Sequence, residues 1–183
     1  MAPNMKLSKP MLIGIIVTII IVILAAWIVL AYNSLVSSEQ TVEAQWAQVE
    51  NQYQRKIDLI PNLINVTSQY TQFERSTLEN ITALRTQWLT DATAEDRLNT
   101  SELLDGQLTL LIATYENYPT LSSIPLVAGL MDELAGTENR IATERTRFND
   151  DVRDYNIKVR KFPSNIVAGM FGFDEKEYYN PPL

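Results

Sequence analysis

Leu35–Ile64 reads LVSSEQTVEAQWAQVENQYQRKIDLIPNLI, and its apolar positions decide the fold class. Leu35, Val42, Trp46, Val49, Tyr53, Ile57, Ile60 and Ile64 recur at steps of three, four or seven. That period marks one face of an α-helix, and no strand template fits it. The stripe continues at Tyr70, Phe73, Thr77, Ile81, Leu84 and Trp88, so the spacing predicts helix along this whole stretch. Pro61 lies within it and frees the carbonyl of Ile57, which predicts a kink rather than a stop, with Asn62 placed to satisfy exposed backbone groups. Unbroken from Tyr32 to Trp88, such a helix would be about 85 Å long.

Toward the C-terminus the polar stretch Thr90–Ser101 reads as a loop into a second helix carrying Leu104, Leu108, Leu111 and Tyr115, which Pro119 limits. Tyr118–Leu126, with Pro119, Pro125 and Ser122-Ser123, is a connection. A last long helix shows Leu130, Leu134, Thr137, Ile141, Phe148, Val152, Tyr155 and Val159, and Pro163 ends it because the residue before a proline avoids helical geometry.

Toward the N-terminus, MLIGIIVTIIIVILAAWIVLA, Met11–Ala31, is free of charge. As a helix it spans about 32 Å, which matches a bilayer core. A signal-peptide core runs only about 7–15 residues, so a retained anchor is expected. Its candidate anchor residues are Met11, Ile16, Ile20, Leu24, Trp27 and Leu30. Lys6 and Lys9 precede the span, while Glu39 and Glu43 are the first charges after it. The positive-inside rule then places the short N-terminus in the cytoplasm and the helical domain outside the cell membrane. The expected architecture is all-α: an N-terminal transmembrane helix followed by an elongated antiparallel three- to four-helix bundle with long first and last helices. Its parts are a tail at 1–10, the anchor at 11–31, the bundle at 32–162 and an apolar C-terminal segment with tail at 163–183.

Composition narrows the function. The chain has 183 residues and neither histidine nor cysteine, which excludes disulfides, Cys or His zinc sites, thiol nucleophiles and His-dependent triads. Without histidine, a di-metal carboxylate bundle site of the Glu-x-x-His type cannot form either. No cofactor and no enzyme activity are expected. From Tyr32 onward 13 basic residues face 22 acidic ones, so nucleic acid is not an expected partner.

Several segments together resemble the LemA family. They are Tyr32-Asn33-Ser34-Leu35-Val36, Gln54-Arg55-Lys56-Ile57-Asp58-Leu59-Ile60-Pro61-Asn62-Leu63, Glu116-Asn117-Tyr118-Pro119, Gly136-Thr137-Glu138-Asn139-Arg140-Ile141, Arg153-Asp154-Tyr155-Asn156 and Phe162-Pro163-Ser164-Asn165-Ile166-Val167-Ala168-Gly169, followed by Phe171-Gly172-Phe173. The resemblance implies a membrane-anchored helical bundle of the bacterial or archaeal envelope, with TPM-domain membrane proteins and HtpX-type proteases as neighbours. A relative in magnetosome formation points to membrane shaping.

Two polar groups and one apolar segment remain to be placed. Arg55 and Asp58 stand three apart and read as a surface ion pair. Glu138, Asn139 and Arg140 read as a polar knot that fixes helix register. Asn165–Phe173 is apolar and either caps its own bundle, docks on a neighbouring subunit or dips into the membrane surface. Its candidate assembly contacts are Ile166, Val167, Met170, Phe171 and Phe173. The expected function is a non-enzymatic envelope scaffold that binds lipid through its anchor and self-assembles as a homo-oligomer. The alternative is an adaptor presenting a binding face to an envelope protease or other membrane protein.

Overall fold

A computed structural model describes residues 9–70 and 73–179; Lys6 and the last four residues fall outside that range. The described residues contain helices and no strand. In chain order these are α1 (Lys9–Thr67), α2 (Arg75–Thr90), α3 (Ala94–Asn117), the short α4 (Pro119–Ser122), α5 (Pro125–Arg160) and α6 (Ser164–Phe171). The all-α, helical-bundle expectation therefore holds, with a long first helix and a long fifth.

The chain divides into two compact units. One comprises Met1–Glu43 and Asp150–Tyr178, the other Ala44–Asn149 and Tyr179–Leu183. In the second unit a single core joins Val49, Tyr53, Ile57, Ile60 and Leu63 of α1 to Leu78, Ile81 and Trp88 of α2, Leu104, Leu108 and Leu111 of α3, and Val127, Met131, Leu134 and Ile141 of α5. Burial of apolar area of this kind is the dominant favourable term in folding.

The stripe expected to run unbroken to Trp88 is cut between α1 and α2. Its apolar spacing survives the break because both helices supply the same core. At the break Gln69 Nε2 and Ser68 Oγ both donate to Asn65 O (3.1 and 3.3 Å), so side chains satisfy a carbonyl that the end of α1 leaves open. Pro61 sits inside α1 as anticipated. The carbonyl it frees is satisfied from α2 rather than by the exposed Asn62: Arg85 Nε donates to Ile57 O at 3.2 Å.

The expected loop at Thr90–Ser101 shrinks to Asp91–Thr93, because its polar residues cap and anchor a helix. Thr93 Oγ1 accepts from Asp96 N (3.0 Å), the side-chain cap of α3. Ser101 Oγ accepts from Trp88 Nε1 (3.0 Å), and Thr100 donates to Asp91 Oδ2 (2.5 Å), so two residues read as loop are buried in the α2–α3 hairpin. The Tyr118–Leu126 connection holds α4, which starts with proline at its first position, where the missing N–H costs nothing.

In the first unit, α1 is long and apolar enough to cross a membrane. Met11, Ile16, Ile20, Leu24 and Leu30 are exposed. Trp27, Ile28 and Ala31 instead pack with Leu35 against Val167 and Ala168 of α6, together with Val159 and Phe173. Gly172 ends α6 in left-handed geometry (φ 74°), and Phe173 N donates to Ala168 O at 3.0 Å. This closes a Schellman-type cap whose apolar contact is Phe173 on the α6 core.

Candidate functional site

The second unit encloses a charge cluster built on helix periodicity. Leu35, Val42, Val49, Lys56 and Leu63 stand seven apart on α1, and all are buried. Lys56, at 0 % exposure, thus occupies a core position in an apolar series. Its ammonium meets Asp105 Oδ1 of α3 at 2.5 Å and also pairs with Glu138 of α5. Seven residues after Glu138, Arg145 Nη2 donates to Asp105 Oδ2 at 2.9 Å. Tyr53 Oη donates to the same Asp105 oxygen (3.2 Å) and lies 3.3 Å from the buried Tyr179 hydroxyl. The Arg145 guanidinium stacks between the Tyr179 ring (4.2 Å) and the Tyr53 ring (5.3 Å).

Two cations and two carboxylates balance, as a buried cluster requires. Burial pushes the Asp105 carboxyl up to about 6, with Lys56 pulling it the other way. Burial likewise raises the Tyr179 phenol and lowers the Arg145 guanidinium. The ion pairs of Lys56 and Arg145 all go to other members of the cluster, while the buried Arg145 Nε has no hydrogen-bond partner among the described residues. The ion pairs link α1 to α3 and α5, and α5 to α3.

The polar residues singled out from sequence divide. Glu138 belongs to this cluster. Arg55 and Asp58 do not pair; Asp58 accepts from Gln54 Nε2 at 2.9 Å instead. Both are exposed and line a shallow groove of about 540 Å³ with Asp132, Glu133, Thr137 and Arg140. Asn139 is exposed on α5. Lys56, Asp105, Arg145, Tyr53 and Tyr179 went unrecognised. For Lys56 and Arg145 the signal lies in two sevenfold series, Leu35, Val42, Val49, Lys56, Leu63 on α1 and Met131, Glu138, Arg145, Val152, Val159 on α5, which place charges at core-type positions; no such spacing marks Asp105 or Tyr179. Among the described residues no three carboxylates converge on a point that could hold a metal ion.

In the first unit the C-terminal segment splits by face. Val167 is buried against Leu35, and Phe173 is half-buried beside Tyr32. Ile166, Met170 and Phe171 stay exposed at 50, 65 and 52 %. The extended chain after α6 is held through its backbone. Asn156 Nδ2 donates to Lys176 O (2.8 Å) and its Oδ1 accepts from Lys176 N (2.9 Å), while Tyr155 Oη donates to Asp174 O (3.0 Å). In the second unit Asn149 treats Tyr179 in the same way, at 3.0 and 2.8 Å.

Known proteins are similar to this chain in sequence. Magnetosome protein MamQ 2 and MamQ 1 of Paramagnetospirillum magneticum are each 26 % identical to it over 185 residues, covering 87 % of this chain and 68 % of theirs. Magnetosome protein MamQ of Magnetospirillum gryphiswaldense is 25 % identical over 179 residues, 84 % of this chain and 66 % of its own. The profile of the LemA family matches residues 45–182, well over half the chain, and takes in the charge cluster and α6. The chain belongs to the LemA family.

Proposed function

We propose that this chain is a non-enzymatic, membrane-anchored scaffold of the cell envelope, whose helical bundles pair side by side and so organise the membrane that holds their anchors. The anchor is Met11–Ala31, with the N-terminus cytoplasmic and the helical domain outside. The observation that carries the reading is a row on α3. Leu103, Gly106, Leu110 and Ala113 follow one another at steps of three and four, all exposed, with the two leucines at 59 and 55 %. Nothing lies within 4 Å of the space a side chain at Gly106 would fill. Leucine knobs alternating with small residues let a like helix approach closely, and such a row is self-complementary about a two-fold axis. The relatives named as magnetosome proteins support a role in organising membrane.

The test is cross-linking of the full-length protein in its own membranes. A ladder ending in a defined homo-oligomer is the expected product, lost in Leu103→Glu/Leu110→Glu at unchanged helix content. A single adduct with a different protein would replace this reading by the adaptor alternative. The polar groove around Asp58, Glu133 and Arg140 would then be the binding face for an envelope protease or TPM-domain protein.

A further inference from the structure

Helix α6, SNIVAGMF, carries no charge and has two apolar faces. One, Val167 and Ala168, is closed on α1. The other, Ile166, Met170 and Phe171, is open, although it is as apolar as a core. An exposed apolar face of this kind marks a contact. What fixes the contact is the place on α1 where α6 sits: its partners are Trp27, Ile28, Ala31 and Leu35. Trp27 to Ala31 is the last turn of the apolar run, about 6 Å of helix rise. Any bilayer that Met11–Ala31 crosses therefore has its edge at the level of α6. The aromatic residues at that level agree with this depth. Tyr32 packs edge-on against Phe171 at 4.9 Å, and Trp27 lies one turn earlier; Trp and Tyr are the residues that gather at membrane–water boundaries.

We infer that the open face of α6 lies in the boundary between lipid headgroups and acyl chains of the bilayer that α1 spans, giving the chain a second lipid contact beside its anchor. The inference rests on the anchor reading. A short apolar helix lying in that plane buries its face about 5–10 Å deep, which matches the overlap with α1. The attraction comes from the apolar face, since helix α6 has no basic residue. Of the exposed cations just before it, Arg160 is paired with Glu175, and Lys161, three residues ahead of the helix, adds a single positive charge. Uncharged lipid is therefore sufficient, and on uncharged lipid salt has no effect.

The chain has no cysteine, so a single introduced one can carry a label without ambiguity. Full-length protein bearing an environment-sensitive fluorophore at Met170→Cys is reconstituted into phosphatidylcholine vesicles that contain lipid spin-labelled just below the headgroup. Ile20→Cys, read with lipid spin-labelled deep in the acyl chain, reports the anchor, and Arg75→Cys, 92 % exposed in the second unit, reports water. The expected result is a roughly twofold loss of emission at position 170, unchanged by salt and by dilution of protein in lipid, with none at position 75. An unquenched label at 170 beside a quenched one at 20 overturns the inference and leaves the anchor standing. An unquenched label at 20 overturns both. Shielding at 170 that disappears on dilution in lipid means that a second copy covers the face, and also overturns it.

Discussion

Replacing Lys56 with methionine removes the one cation paired with Glu138 among the described residues, while keeping the volume of a side chain that is fully buried. Breaking a buried pair by deleting one partner costs about 3–5 kcal/mol. Here the lower end applies, because Asp105 keeps Arg145 at 2.9 Å, and Asp105 and Glu138 retain 25 and 33 % exposure. The expected loss at pH 7 is about 3 kcal/mol, or a fall in Tm of about 6–12 °C for a chain of this size. The loss depends on pH with a definite sign. The Asp105 carboxyl stands at about 6 in the folded chain against an ordinary 3.8, and Lys56 is among the groups that hold it down. Without Lys56 it rises further, so the folded variant takes up a proton on acidification that its unfolded chain does not. Uptake on folding means that stability increases as pH falls, and each unit of additional rise returns about 1.4 kcal/mol. The deficit of Lys56→Met therefore shrinks from pH 7 to pH 5. Thermal unfolding followed by circular dichroism in detergent micelles measures it, with exposed Arg55→Met as a control expected within about 0.5 kcal/mol of the parent. A deficit below about 1 kcal/mol, or one independent of pH, would refute the assignment of Lys56 as a buried charge held by two carboxylates.

Two further outcomes concern single hydrogen bonds. Arg85→Met leaves the Ile57 carbonyl without its donor and should cost about 1 kcal/mol; in a Pro61→Ala background, where residue 61 regains its own N–H, the same change should cost little, and a double-mutant cycle of unfolding free energies reads the difference. Asn156→Ala removes both bonds to Lys176, so the Lys176 amide should lose hydrogen-exchange protection while amides of the second-unit core keep theirs; a protected Lys176 amide in the variant would show that the tail is held by other means.

Much of the fold was legible because α1, α3 and α5 bury one face each, and a buried face leaves a period in the sequence. Helix ends were less so. At Thr67–Gln69 and at Thr93–Ser101 the outcome turns on which side-chain oxygen reaches which backbone group, and the same residue types stop one helix and start another. Lys56 was hidden by its chemistry: a lysine beside Arg55 reads as surface, and only its place in the sevenfold series with Val49 and Leu63 shows it to be interior. Asp105 gave less warning still. It adjoins the core residue Leu104, and its burial depends on Lys56 and Arg145, which arrive from 49 and 40 residues away in sequence. For α6 the apolar character was plain, but which of its residues stay open depends on the Leu35 contact, which sequence spacing does not encode.

Asn149 and Asn156 grip the extended C-terminal chain by its peptide groups alone, each taking one N–H and one C=O of a single residue. Such a grip is blind to the identity of the residue it holds. Lys176 could become almost any amino acid and keep both bonds, with one exception: proline, which has no N–H to give. The grip itself therefore constrains the two asparagines and not the residues they bind. What ties those residues to their identity is their side chains: the Lys176 ammonium pairs with Glu39 at 3.0 Å, and the buried Tyr179 meets Tyr53 through its hydroxyl and Arg145 through its ring.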